Sequence, residues 1–207
     1  MRLFRDFCNT DLDMRSINSS HIALIPKKSN PKSVDDYRSI SLLNYSLKSI
    51  TKILLSRLQT VILKLVHANQ YGFIRGRTIQ DCLPWAFQFL HICHHSKKEI
   101  VILKLDFEKA FDKVEHEVIL QVLKYKGFSD KWVNWVRSIL CSGDSSVLLN
   151  GIPDKPFTCR RGVRQGGPLS PLLFVLAADL LQSILNKAWN IGVLKILSVM
   201  LLGVTSQ

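Results

Sequence analysis

A single aspartate follows an apolar run in the middle of the chain, a placement common among metal-binding carboxylates. Residues 101–105, VILKL, predict a buried strand over 100–106 that ends at Asp106, and Phe111 follows five residues later. Carboxylate oxygens are the hard ligands that Mg²⁺ prefers. We predict that Asp106 is one half of a metal site; the alternative is an ordinary turn residue at a strand end.

Three further segments combine basic residues with glycines or turn residues. The segment RRGVRQGGPLSP, 160–171, places arginines and glycines directly before a helix. Glycine allows close backbone approach, a helix N-terminus favours anions, and guanidinium groups bind phosphate in a bidentate manner. Segments 25–43 and 70–81 carry further cations, so the candidate anion-binding residues are Lys27, Lys28, Arg38, Arg75, Arg77, Arg160, Arg161 and Arg164. Taken singly, each segment is also compatible with a tight turn that carries solvated cations.

Long helices and a few sequence-distant strands must position these segments, and this pattern predicts an α+β fold. Apolar residues keep helical spacing from Tyr45 to His67, and Thr78 with Asp81 predicts a capping box for a helix to about His95. Further helices are predicted over 113–126, after a cap at Ser129, and over the mostly apolar segment 168–188; strands are predicted over 21–26 and around a turn at Asn150–Gly151.

Composition favours a folded basic protein. Lys and Arg outnumber Asp and Glu by 28 to 16 among 207 residues, a formal charge of +12. This excess favours polyanionic partners, nucleic acid first, although an anionic membrane surface would attract the same charge. Five cysteines without a CxxC pair indicate reduced thiols, hence an intracellular protein, nuclear or cytoplasmic, and we see no targeting signal. The late apolar stretch IGVLKILSVMLLGV is too short to span a bilayer and contains Lys195, so we expect no membrane partner.

The order of the four segments resembles the reverse transcriptases of LINE-type (non-LTR) retrotransposons. LIPKK with DDYRSISLL is similar to the fingers motif, NQYGFIRGRTIQDC to the block that follows it, LKLDFEKAFDKVEH to the first palm motif, and GVRQGGPLSPLLFVLAADLL to the second. The resemblance implies an RNA-directed DNA polymerase domain with the fingers and part of the palm of a right-hand-shaped polymerase, the thumb being absent. It covers 17–193, between an N-terminal segment 1–16 and a divergent tail 194–207.

The resemblance also implies roles for individual residues. Asp106 corresponds to the first metal-binding aspartate, and the backbone carbonyl of Phe107 to a second ligand of Mg²⁺. Phe111 corresponds to the bulky residue that clashes with a 2′-hydroxyl and so favours deoxynucleotides. Gln165 and Gly166 correspond to residues lining the nucleotide and template pocket.

The cations take two implied roles. Arg38, Lys27 and Lys28 would hold the triphosphate of a dNTP. The other arginines, Arg75, Arg77, Arg160, Arg161 and Arg164, would contact an RNA template and a DNA primer.

One motif of the family is missing from this sequence. The aromatic-Ala-Asp-Asp hairpin should follow the second palm motif, but the chain reads KILSVMLLGVTSQ there and contains no Asp or Glu after Asp179. Two metal ions facing one carboxylate would repel each other without compensation. We therefore predict a truncated domain that is inactive alone; the alternatives are a non-catalytic nucleic-acid-binding remnant and a product with no function.

Other residues could in principle supply ligands. Asp112 and Glu115 follow Asp106 on a predicted helix, and Asp179 lies in an apolar helix where a buried, paired carboxylate is the preferred interpretation. The segment HICHH, 91–95, suggests zinc but lacks a second ligand pair at finger spacing. Trp132 and Trp135 have the spacing of a core-facing helix side more than of a base-stacking platform.

Overall fold

The computed structural model describes residues 2–97 and 107–193; the predicted strand over 100–106, with Asp106, lies outside them. The described helices are α1 (Arg2–Cys8), α2 (Met14–Ile17), α3 (Tyr45–Leu65), α4 (Ile79–His95), α5 (Ala110–Lys113), α6 (His116–Tyr125), α7 (Asp130–Cys141) and α8 (Ser170–Asn190). The described strands are β1 (Ser19–Pro26), β2 (Tyr37–Leu43), β3 (Asp144–Leu149), β4 (Ile152–Pro153) and β5 (Phe157–Thr158). The predicted α+β class is confirmed.

The sheet joins strands that are far apart in the sequence. Its order is β2-β1-β3-β4, and β5 also pairs with β3. β1 runs antiparallel to β2 from Ser20 opposite Leu43, and parallel to β3 from Ser19 opposite Asp144. The turn at Asn150–Gly151 is confirmed: both residues have positive φ, which a two-residue hairpin turn of this type requires.

The core forms where α3, α6, α7 and α8 pack together. The buried side of α3 repeats every three or four residues, through Leu47, Ile50, Leu54, Leu58 and Ile62. The capping box of Thr78 with Asp81 is present in α4, and the Ser129 hydroxyl accepts a hydrogen bond from the backbone of α7. These local signals were sufficient to predict α3, α4 and α7, because a side-chain cap begins each of these helices and apolar residues recur along them.

Helix α8 is buried in its first half, where Leu172, Leu173 and Leu176 are almost fully enclosed, whereas Ile184 and Trp189 in its second half are exposed. The expectation of a largely buried helix therefore holds only for the N-terminal half. By length and composition α8 would also meet the requirements of a membrane-spanning helix, but its buried half belongs to the protein's own core.

Asp179 is a buried, paired carboxylate, and this is the interpretation that the sequence favoured over a metal ligand. Its Oδ2 lies 2.6 Å from Nζ of Lys126, and its Oδ1 accepts a hydrogen bond of 2.9 Å from the backbone of His67. Nζ of Lys126 also donates to the carbonyl of Leu65 at 2.5 Å, the last residue of α3. The pair thus ties the ends of α3 and α6 to the middle of α8.

The N-terminal segment joins the same core. Phe7 of α1 is 2% exposed, and its ring lies 5.7 Å from the ring of Trp135. Trp132 packs on Phe128 at 5.6 Å, so both tryptophans face protein, as their spacing predicted. The domain boundary at 16/17 stays a prediction, although packing contacts cross it.

Candidate functional site

The segment after Asp106 lies against the glycine-rich loop 160–167. Backbone N–H groups of Gly162 and Val163 donate to the carbonyls of Val114 and Phe111, both at 2.7 Å. Glu115 and Arg161 form an isolated antiparallel bridge beside these bonds. The two segments are about fifty residues apart in the sequence, and the structure joins them along one continuous seam.

This seam corrects the predicted start of a helix. A helix was expected from about residue 113, but Val114 and Glu115 have extended backbone and α6 begins at His116. Residues 114 and 115 are extended because they pair with the 160–167 loop, a partner that local helical spacing cannot reveal.

Strand β2 closes the other side of the glycine-rich loop. The backbone N–H of Ser41 donates to the carbonyl of Gln165 at 2.8 Å. Gly166 has φ of +100°, and a Cβ there would lie 3.1 Å from the carbonyl oxygen of Ser41. Nε2 of Gln165 lies 3.4 Å from Oδ1 of Asp112, so these side chains meet where the three segments converge. Gln165 and Gly166 therefore occupy the place where β2, the 160–167 loop and α5 meet.

Phe111 is packed against two other aromatic rings. It is 9% exposed, stacks on Phe174 of α8 at 4.8 Å and meets Phe73 edge-on at 6.2 Å. Phe73 belongs to the segment 70–81, so this basic segment also reaches the site. All four segments singled out from the sequence thus come together around residues 109–115.

The connection between β1 and β2 carries lysines that contact acidic residues. Nζ of Lys28 lies 2.8 Å from Oδ1 of Asp36, and Nζ of Lys27 donates to the backbone carbonyl of Asp35 at 3.0 Å. Hydrogen bonds from Lys28 and from the backbone of Lys32 lower the pKa of Asp36 to about 2. The Asp36 carboxylate is therefore ionised at neutral pH and holds Lys28, whereas Lys27 is held by the backbone carbonyl of Asp35.

Arg164 was predicted to contact nucleic acid, a role that stays a prediction, and in the structure its side chain contacts other parts of the protein. Its guanidinium donates to the side chain of Asn18 and, at 3.0 Å, to the carbonyl of the same residue. A longer contact of 3.4 Å reaches the carbonyl of Asp144. Burial lowers the pKa of Arg164, and its donors are used to tie the glycine-rich loop to the starts of β1 and β3.

Arg77 also makes contacts within the protein. Its Nη1 donates to the carbonyls of His67 and Gln70, at 2.9 and 2.7 Å, and so closes the loop between α3 and α4. By contrast, the side chains of the remaining candidate arginines are exposed; these are Arg38, Arg75, Arg160 and Arg161. The predicted contacts of these four with phosphates stay predictions.

The metal site is only partly described. Asp106 lies outside the described residues, and Phe107, directly after it, is 44% exposed. Among residues 2–97 and 107–193, no group of three or more His, Cys, Asp or Glu side chains is arranged to hold a metal ion. His91 and His95 face each other on α4 with ring centroids 4.7 Å apart, but no third ligand joins them among those residues.

Two sets of residues at the site had no clear signal in the sequence. Asn18 is fully buried and, besides its contact with Arg164, donates to the carbonyl of Ile139 and to Ser142. Lys109 forms an ion pair of 2.7 Å with Asp35, 74 residues earlier in the chain. An asparagine or a lysine in a polar segment is usually solvated, so only the tertiary structure identifies these contacts.

Comparisons with known proteins show similarity to reverse transcriptases. The sequence profile described as "Reverse transcriptase (RNA-dependent DNA polymerase)" matches residues 25–200. The chain is 32% identical over 174 residues to the transposon TX1 uncharacterized 149 kDa protein of Xenopus laevis, covering 84% of this chain and 13% of that protein. It is 30% identical over 166 residues to the RNA-directed DNA polymerase from mobile element jockey of Drosophila melanogaster, covering 78% of this chain and 18% of the relative.

A solved structure shares the fold. The apo telomerase of Candida tropicalis, truncated from its C-terminal domain, superimposes with a TM-score of 0.57 at 15% identity. The match covers 84% of this chain and 40% of that one. The described residues thus have the fold of part of a right-hand-shaped polymerase, and the chain spans less than a fifth of the length of the two relatives compared above.

Proposed function

Because the chain belongs to the reverse transcriptase family of non-LTR retrotransposons, we propose that its four converging segments form the nucleotide- and template-facing part of an RNA-directed DNA polymerase site. The observation that carries the proposal is the seam between residues 111–115 and the loop 160–166, with Ser41 of β2 on its far side. This seam brings the segment 111–115, the glycine-rich loop and strand β2 to one place.

Phe111 is proposed to select deoxynucleotides. A steric filter must not move when the substrate arrives, and Phe111 is held by Phe174 and Phe73 on two sides. A ring in that position would clash with a 2′-hydroxyl and leave a deoxyribose in place. Gln165 and Gly166 would line the same pocket, since the exposed backbone of a glycine lets a base or sugar approach closely.

The exposed cations are proposed to hold phosphates. Arg38 lies on β2, three residues before Ser41, and with Lys27 and Lys28 would neutralise the triphosphate as charge builds on the leaving pyrophosphate. Arg160 and Arg161 lie at the start of the glycine-rich loop, and Arg75 lies in the segment that reaches Phe111 through Phe73. These three would contact the phosphate backbone of template and primer, for which the net charge of +12 is suited.

Mg²⁺ is proposed as the cofactor. The carboxylate of Asp106 and the backbone carbonyl of Phe107 are hard oxygen donors, a set that suits Mg²⁺ better than zinc. When bound, the ion would lower the barrier to attack by the primer 3′-oxygen on the α-phosphate. Asp112, held near Gln165, is proposed to stabilise the start of α5 and is not assigned as a ligand.

Binding and catalysis are tested separately with the 207-residue chain. Fluorescence polarisation of a labelled RNA template–DNA primer should show binding that weakens steeply with salt, and an Arg160→Gln, Arg161→Gln double variant should reduce the slope of log affinity against log salt by roughly 1–2. Arg137→Gln is the single-charge control, because that arginine pairs with Glu117 on the neighbouring helix. A slope unchanged by the double variant would contradict the assigned interface.

Catalysis by this chain alone is expected to be absent. Asp106 would face two metal ions without the second carboxylate pair, since no Asp or Glu follows Asp179. A primer-extension assay with Mg²⁺ and dNTPs should therefore yield no product. If the chain incorporates dNTPs in a template-dependent manner, and Asp106→Asn abolishes that incorporation, this expectation is wrong. The same result would exclude the alternative of a non-catalytic nucleic-acid-binding protein.

A further inference from the structure

Lys109 and Asp35 connect the two segments that are proposed to hold the nucleotide. Nζ of Lys109 lies 2.7 Å from Oδ1 of Asp35, and the side chains are 50% and 75% exposed. Lys109 directly precedes α5 and has a left-handed backbone, with φ of +50°. That conformation is unfavourable for lysine, so the surrounding contacts must hold the residue in place.

Two adjacent aspartates gather three lysines at this point. Lys109 contacts the carboxylate of Asp35, Lys27 contacts the backbone carbonyl of Asp35, and Lys28 contacts the carboxylate of Asp36. Three ammonium groups thus surround two carboxylates, which leaves a net charge of +1. Both side chains of the Lys109–Asp35 pair are exposed, so this pair is held weakly and an incoming anion can compete with the Asp35 carboxylate.

We propose that Lys109 is a third phosphate-binding lysine of the nucleotide site, beside Lys27, Lys28 and Arg38, and that the Asp35 carboxylate holds its ammonium until a triphosphate takes its place. The inference rests on the proposed function, since it assigns a further residue to the same site. A triphosphate carries several negative charges on adjacent groups and can engage all three lysines at once, whereas each carboxylate engages one. When phosphate replaces the Asp35 carboxylate as the partner of Lys109, the ligand gains a contact and the three lysines keep their positive charge.

The neighbouring ion pair shows why Lys109 is singled out. Lys113 pairs with Glu108, five residues away in the same segment, at the same distance of 2.7 Å. That pair is local and joins no second segment. The Lys109–Asp35 pair, by contrast, joins the start of α5 to the loop that carries Lys27 and Lys28, so releasing it frees a cation beside those two lysines.

The test is calorimetric titration of inorganic tripolyphosphate into the full chain at low ionic strength, because salt screens exposed charges. Lys109→Gln should weaken binding about tenfold, the loss of one charge-assisted hydrogen bond. Asp35→Asn should strengthen it by roughly three- to tenfold, because the competing carboxylate is removed. Glu108→Gln, which changes the net charge by the same amount, should alter the affinity by less than about twofold.

A double variant separates a direct effect from a general one. In the Lys109→Gln background, Asp35→Asn should lose most of its effect, because the two residues act through one contact. The inference is overturned if the wild-type chain binds no tripolyphosphate at millimolar concentration, if Lys109→Gln binds normally, or if Asp35→Asn and Glu108→Gln behave alike. If the proposed function failed instead, the chain would not bind the primer–template. Tripolyphosphate would still bind most tightly to Asp35→Asn, less tightly to the wild type and least tightly to Lys109→Gln.

Discussion

Removal of the Asp179 carboxylate should destabilise the protein strongly. In Asp179→Ala the ammonium of Lys126, whose side chain is 13% exposed, loses its partner at 2.6 Å and stays enclosed between α3, α6 and α8. The backbone N–H of His67 loses its acceptor at the same time. Breaking a buried ion pair from one side costs about 3–5 kcal/mol, because the remaining charge is uncompensated.

The size of this effect translates into a measurable melting temperature. For a chain of this length each 1 kcal/mol corresponds to roughly 2–4 °C, so Asp179→Ala should lower Tm by about 6–20 °C. Differential scanning calorimetry or thermal circular dichroism measures this, with chemical unfolding as an independent check. The double variant Lys126→Met, Asp179→Leu should recover much of the loss, since apolar replacement of a buried pair is often neutral.

An exposed pair provides the matched control. Glu108 and Lys113 are also 2.7 Å apart, but their side chains are 76% and 56% exposed. Glu108→Ala should therefore shift Tm far less than Asp179→Ala, because water and salt already screen the exposed pair. Equal shifts in the two variants, or a double variant as unstable as the single one, would refute the argument that burial makes the Lys126–Asp179 pair critical.

Three smaller predictions concern single groups. The carboxyl of Asp36, followed by NMR, should titrate with a pKa of about 2. Its contribution to the free energy of unfolding is therefore complete above pH 3.8, its ordinary pKa, and is lost as the pH falls through 2. A titration midpoint near 3.8 would contradict the Lys28 contact. Gly162→Ala should lower the free energy of unfolding by about 2–4 kcal/mol, because φ is +82° and the new Cβ would lie 2.8 Å from a carbonyl oxygen of α5. Gly127→Ala, where φ is the same but the Cβ would meet open space, should lower it by only about 1–2 kcal/mol. Chemical unfolding measures both values. Iodoacetamide followed by mass spectrometry should label exposed Cys141 well before Cys82, whose pKa is raised by burial; equal rates would show that α4 opens readily.

Local signals in the sequence were sufficient for most of the helices. The apolar repeat of α3, the capping box at Thr78 and the cap at Ser129 each involve residues within one or two turns of each other. Such contacts are specified by a few adjacent residues, so their positions follow from spacing. The family, too, followed from four motifs in order, and the comparisons confirm it.

The roles of individual charged side chains required the tertiary structure. Arg164 and Arg160 stand four residues apart in one basic loop, yet the first is enclosed against Asn18 and the second is exposed. The sequence pattern predicts phosphate binding for both arginines, because a sequence shows the charge of a side chain but not the direction in which it points.

The same limit explains the start of α6 and the Lys109–Asp35 pair. Both depend on partners between about 45 and 75 residues away, the glycine-rich loop in one case and the β1–β2 connection in the other. Helical spacing is a property of neighbours in the chain, whereas extended residues 114 and 115 and the ion pair are properties of segments brought together by the packed core. The sequence thus determined which chemical groups this protein has and in what order, and only packing decided which of them are enclosed and which are exposed.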